Sequence, residues 1–111
     1  MQSTTSYDVI IVGAGPAGIF AALELSSKSR ARVLIIDKGA PLEKRNCKTQ
    51  KEYGRCLRCD PCAITCGWGG AGAFSDGKLT LTPAFGGLLE EYIERQVVEE
   101  LINEVDQTYL S

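Results

Sequence analysis

An α/β fold opening on a parallel βαβ unit, Tyr7 to Asp37, is predicted from three features of the sequence. Tyr7 to Val12 and Arg32 to Asp37 are short, nearly unbroken apolar runs bounded by glycine and charge. Such runs suit strands buried on both faces of a parallel sheet rather than strands with one wet face. Between them, Ile19, Phe20, Ala22, Leu23 and Leu25 continue a helix, the crossover that two parallel strands require.

The turn between the first strand and the helix holds Gly13, Gly15 and Gly18 in the spacing G-x-G-x-x-G. Gly13 permits the tight turn, and Gly15 lets backbone amides approach a pyrophosphate. Gly18 lets the helix pack closely on the strand. Pro16 and Ala17 complete the first helical turn, where the fixed φ of proline fits and its missing N–H is not needed. The helix N-terminus then presents free N–H groups and partial positive charge to an anion. The second strand ends in Asp37, nineteen residues after Gly18, where a carboxylate can accept hydrogen bonds from ribose hydroxyls. Lys38 follows it at the mouth of the same site. Strand, glycine turn, helix and acid thus agree on a Rossmann-like dinucleotide site.

The fingerprint specifies a dinucleotide without saying which. The string VIIVGAGPAGIFAALEL followed by IIDKG resembles the FAD-binding start of the two-dinucleotide-domain flavoproteins. That resemblance implies an FAD/NAD(P)-binding fold in which Gly13, Gly15 and Gly18 face the FAD pyrophosphate and Asp37 the adenosine ribose. Asp37 stands where glutamate is commoner in that superfamily, which keeps an NAD reading open. An acid at this place disfavours a 2′-phosphate. NAD(P)H enters as the implied electron donor.

From Gly39 to Lys78 the sequence turns to charge, glycine and cysteine without clear periodicity, the mark of a long functional loop. All five cysteines lie in it, Cys47, Cys56, Cys59, Cys62 and Cys66, spaced C-x8-C-x2-C-x2-C-x3-C. The odd number and the absence of a secretory signal speak against a disulfide scaffold. The spacing of the last four is that of iron-sulfur cluster loops, although Gly67 replaces the usual proline. Four thiolates would equally suit a tetrahedral zinc. Redox-active thiols beside a flavin, as in the disulfide reductases, and cysteines without a ligand are the other readings. In those reductases the pair follows a Gly-Gly, whereas Gly69 and Gly70 come after the cysteines here.

The loop closes with CGWGGAGAFSDGKLT, Cys66 to Thr80, rich in glycine and alanine after Trp68, where a backbone must approach something closely. With the N-terminal fingerprint, PCAITCGWGGAGAFSDGKL resembles the bacterial and archaeal family called FAD-dependent dehydrogenases. The resemblance covers nearly the whole chain, and it implies a cofactor more than a substrate. Related flavoproteins place a Gly-Gly segment against FAD, so Gly69, Gly70, Gly72, Ser75 and Asp76 are implied at the ribityl or isoalloxazine. Asp76 and Lys78 are polar within this segment, but a turn-and-cap role is expected of them before a catalytic one.

Leu79 to Leu81 is expected to form a short strand before Pro83. An amphipathic helix is expected over 88–109. In it Leu89, Ile93, Val97, Leu101 and Val105, joined by Tyr92, Val98 and Ile102, form the apolar stripe and Glu90, Glu91, Glu94, Glu99, Glu100 and Glu104 mostly the other face.

At 111 residues the chain is one domain at most. Two strands and a helix cannot enclose an FAD, so the chain is expected to be the N-terminal part of a larger enzyme. A net charge of −2 excludes nucleic acid as the main partner. Seven of the twelve Lys and Arg residues nevertheless cluster between Lys38 and Arg58, and seven of the fourteen acids between Glu90 and Asp106. The first six residues carry no basic charge, and the apolar stretch Val9 to Leu23 is too short to span a bilayer. A cytoplasmic location, no membrane association and a small-molecule substrate follow as expectations. The chain has no histidine, so any general base near neutral pH is a perturbed side chain or lies elsewhere. The function expected is the FAD-binding part of a flavin-dependent oxidoreductase. The alternative is a non-enzymatic fragment, or a metal-stabilised interaction module without flavin.

Overall fold

A computed structural model describes residues 5–47, 52 and 54–111 of the chain. Lys48 and Lys51 of the basic stretch, and Met1 to Thr4 of the N-terminal segment, lie outside the described residues. The chain divides into two compact units, Met1–Ser75 and Asp76–Ser111.

In the first unit, strand β1 (Val9–Val12), helix α1 (Pro16–Lys28) and strand β2 (Val33–Ile36) form the expected right-order βαβ unit. β1 and β2 pair in parallel, with Val9 opposite Val33, Ile10 opposite Leu34, Ile11 opposite Ile35 and Val12 opposite Ile36. Both strands are shorter than their apolar runs for local reasons. At one end the Asp8 carboxylate takes the Arg32 amide at 2.8 Å, so only the Arg32 carbonyl still bonds to the backbone of the other strand. At the other, the Asp37 side chain accepts the Gly39 amide at 2.7 Å and turns the chain.

α1 lays Ile19, Ala22 and Leu25 half-buried against the strands. Gly18 makes that contact possible: a Cβ there would stand 2.0 Å from the Gly13 carbonyl oxygen and 3.2 Å from the Ile11 side chain. The helix ends where Ser29 turns extended and returns its amide to the Leu25 carbonyl. The strands are not buried on both faces as the sequence predicts. Ile10 is 59% and Val12 82% exposed, because this sheet has only two strands and α1 covers one side.

The loop after β2 is more ordered than its composition predicts. Among the described residues it holds 3-10 turns at Leu42–Lys44 and Gly70–Phe74. Gly39 and Gly67 cross closely within it. A Cβ on Gly39 would lie 2.3 Å from the Cys66 carbonyl carbon, and one on Gly67 would lie 2.3 Å from the Ala40 oxygen.

The second unit departs further from expectation. Leu79 to Leu81 forms no strand. The helix expected over 88–109 is instead a 3-10 turn, Leu89–Glu91, and a separate helix α2, Arg95–Leu110. A continuous helix would stack Glu90, Glu91 and Glu94 at i, i+3 and i+4 spacings, where like charges repel. The break instead brings Glu90 within 3.7 Å of Arg95, which also pairs with Glu99 at 2.8 Å. Of the expected stripe, Val98, Ile102 and Val105 are the members of α2 that pack inward. Val98 is 3% exposed, whereas Val97 and Leu101 remain 41% and 45% exposed. Asp76 and Lys78 pair with each other at 3.1 Å, and Asp76 accepts the Lys78 amide, forming a turn.

Candidate dinucleotide site

The site is built at the C-terminal ends of β1 and β2. Gly13 takes φ +107, a left-handed conformation that reverses the chain, and its amide donates to the Ile36 carbonyl at 2.7 Å. Gly15 caps α1 in extended conformation, and no side chain bonds to the first helical turn. Pro16 and Ala17 follow in that turn, so its N–H groups form the kind of anion cradle that helix N-termini supply. A Cβ on Gly15 would meet no atom within 4 Å, so the glycine is kept there for something other than internal packing.

Asp37 reaches back across this turn. One carboxylate oxygen accepts the Ala14 amide at 2.8 Å and the other accepts the Gly39 amide. These bonds, that from Ala14 first, hold its carboxyl below the usual range, with smaller contributions from the Gly67 amide and the Arg45 charge. Asp37 also separates two clefts. One, of about 400 Å³, is lined by Ala14, Ile35, Leu42, Glu43 and Trp68; the other, of about 560 Å³, by Gly13, Lys38, Thr65 and Cys66.

The glycine segment after the cysteines meets the fingerprint turn directly. The Gly69 amide donates to the Ala14 carbonyl at 2.8 Å, and a Cβ on Gly70 would lie 3.2 Å from the Gly15 Cα. Gly72 sits against Pro16, and Ser75 closes the 3-10 turn by donating to the Gly72 carbonyl. Gly13, Gly15, Pro16, Gly69 and Gly70 are therefore one surface, although more than fifty residues separate its halves in sequence.

Lys38 is exposed and ion-paired to Asp60 at 3.4 Å. Its ammonium is held above the usual range by attraction to the Cys66 sulfur first, then by Asp60. The Cys66 amide donates to the Cys62 carbonyl at 2.9 Å, closing one helical turn around both thiols. The Cys62 sulfur accepts from the Thr65 hydroxyl, then from the Ile64 and Thr65 amides, and its thiol is pulled below the usual range.

None of the five cysteines is joined in a disulfide: Cys56 and Cys59 are exposed, and Cys47, Cys62 and Cys66 half-buried. Among the described residues no three cysteines or carboxylates stand together to hold a metal ion. The arrangement does not fit the expected iron-sulfur cluster or zinc site; either would require the loop to rearrange.

Four residues of the site are invisible to motif reading. Ala14, Gly39 and Gly67 act through backbone groups, which leave no trace in residue type. Arg45, 5% exposed, looked like one more charge in a basic loop.

The sequence profile of the pyridine nucleotide-disulphide oxidoreductases matches residues 7–99, covering both glycine segments and all five cysteines. The chain belongs to this family. Its members bind FAD and NAD(P), and the chain accordingly carries an oxidoreductase domain of Rossmann-like α/β type. Among relatives, an uncharacterized protein of Clostridium beijerinckii is 42% identical over 72 residues, 64% of this chain and 13% of the relative. An uncharacterized protein of Methanosarcina barkeri is 58% identical over 38 residues, 34% of this chain and 10% of the relative. The chain thus spans about an eighth or less of the curated relatives it matches. No solved structure matches it. Among the described residues no helix is long and apolar enough to cross a membrane.

Proposed function

We propose that the chain forms the FAD-binding part of a flavin-dependent, dehydrogenase-like oxidoreductase acting on a small molecule, with NAD(P)H as electron donor, in the cytoplasm. The observation that carries this reading is the meeting of the two glycine segments at Gly15 and Gly70 over the α1 N-terminus. Gly13, Gly15, Pro16, Ala17 and Gly18 supply a turn and amides for the pyrophosphate. Asp37 retains acceptor positions for ribose hydroxyls beyond its two amide bonds, since a carboxylate offers about four. The cleft beside Leu42 and Trp68 would take the adenosine, while Gly69, Gly70 and Ser75 would border the remainder of the cofactor.

Bound FAD would supply the hydride or electron transfer. The chain's own residues bind and orient it, and Lys38 sets positive charge beside the site. Asp76 and Lys78 act as turn residues in this proposal.

The test is an anaerobic absorption spectrum with flavin, iron and zinc analysis on the full natural protein, purified without reconstitution. Flavin bands at one FAD per chain support the proposal. No flavin even after added FAD would overturn it, and iron or zinc at one equivalent would show that the cysteine loop adopts a second arrangement.

A further inference from the structure

Arg45 is the buried charged residue of the first unit, and its surroundings are unusual for a cation. Its Nε donates to the Ala63 carbonyl at 3.0 Å, Nη2 to the Ile64 carbonyl at 2.6 Å, and Nη1 to the Trp68 carbonyl at 2.5 Å. The guanidinium also lies 4.8 Å from the centre of the Phe74 ring. Its stem fills the space beside Gly67, where a Cβ would come within 2.9 Å of the Arg45 Cδ. Among the described residues no carboxylate forms a salt bridge with it.

A guanidinium caged by carbonyls and a ring is placed for geometry rather than for neutralisation. Its planar fork holds several acceptors in one fixed arrangement, a geometry the compact, rotatable ammonium of lysine does not impose. The acceptors come from two stretches that matter. Ala63 and Ile64 lie in the turn from Cys62 to Cys66, and Trp68 immediately precedes Gly69, whose amide bonds to Ala14 in the fingerprint turn. Arg45 therefore sets where the second glycine segment begins.

We infer that Arg45 is a positioning residue that pre-assembles the flavin site, holding the Trp68 backbone so that Gly69 and Gly70 are seated on Ala14 and Gly15 before the cofactor arrives. The inference rests on the FAD reading above. It makes FAD affinity depend on a side chain with no need to touch FAD, since a preformed site avoids the ordering cost of binding.

The experiment is FAD titration of the full natural apoprotein, comparing wild type with Arg45→Lys and following flavin fluorescence alongside the apoprotein melting temperature. Losing one charge-assisted hydrogen bond of the fork should weaken FAD binding by about tenfold or more. Equal affinity in the lysine variant, with wild type binding FAD, overturns the role of Arg45 alone. A wild type that binds no FAD overturns the flavin reading and this inference together. Should the lysine variant not fold, amide hydrogen exchange on the wild-type apoprotein decides. Protection of the Gly69 amide before FAD is added supports pre-assembly; protection gained only on adding FAD refutes it.

Discussion

The carboxylate of Asp37 accepts the backbone amide of Ala14 at 2.8 Å, joining the end of the second strand to the glycine turn that follows the first. One side chain thus fixes the relative position of the acid and the anion cradle. With its second oxygen on the Gly39 amide, Asp37 is bound to the fold on both sides. A glutamate, one methylene longer, would carry its carboxylate beyond these amides and toward a ligand.

The Asp37 carboxyl titrates below its ordinary value, so its ionised form is the one the fold prefers. Its stabilising effect is complete above the unfolded value, about 4 for an aspartate, and is lost as pH falls through the lower folded value. Asp8 and Asp76 are also lowered, so the informative quantity is the difference between wild type and Asp37→Asn. At pH 7 the asparagine variant should melt lower, since its amide group faces one of the two N–H donors. The gap should begin to narrow below about pH 4, the unfolded value, and close only as pH falls through the lower folded value of Asp37. Melting curves from pH 7 to pH 2 check this, and a gap independent of pH would show that the amide bonds do not depend on the charge.

Gly15 and Gly18 belong to the same motif but should fail differently. Gly15 has φ −77 and open space where a Cβ would be, so Gly15→Val should leave stability within about 0.5 kcal/mol. The new side chain occupies the approach to the helix N-terminus, and FAD affinity should fall about 100-fold, equivalent to about 2.8 kcal/mol. Gly18→Ala places its methyl 2.0 Å from a backbone oxygen, and should cost about 1–3 kcal/mol of folding stability. Circular dichroism melts and FAD titrations on both variants check the split. A destabilised valine variant or an unaffected alanine variant would contradict the assigned roles.

The sequence was most informative where a single residue type has a single physical consequence. Gly13, Gly18 and Pro16 announce their backbone conformation, and the apolar runs announce the strands, so the βαβ unit was legible. The same runs misstate burial, because an isolated pair of strands exposes Ile10 and Val12 whatever their hydrophobicity. The extent of the C-terminal helix was misread for a related reason: a four-residue apolar spacing does not reveal a helix break at Glu94, which depends on charge repulsion and on the Arg95 pairs. Cysteine spacing suggested a metal, yet spacing constrains only which thiols can meet. Whether they do depends on Arg45 and on the Gly39–Gly67 crossing, where long-range carbonyl and backbone contacts set the path of the loop.

That path isolates Cys62 as the thiol with the strongest case for reactivity. Its sulfur accepts from the Thr65 hydroxyl and two amides, all favouring the thiolate, with the Arg45 charge adding to them. A lowered thiol is deprotonated at lower pH, so alkylation of Cys62 should rise with pH through a midpoint below that of an ordinary cysteine. Thr65→Val removes the leading contribution and should move that midpoint upward. Cys59→Ser should not shift it, since Cys59 is not among the groups that lower it. Iodoacetamide labelling of the reduced full chain between pH 6 and 9.5, resolved by peptide, gives the midpoints. A midpoint unmoved by Thr65→Val would reject the hydroxyl as the cause. Labelling of all five cysteines that jumps together on adding a chelator would show instead that a metal gathers them in the resting protein.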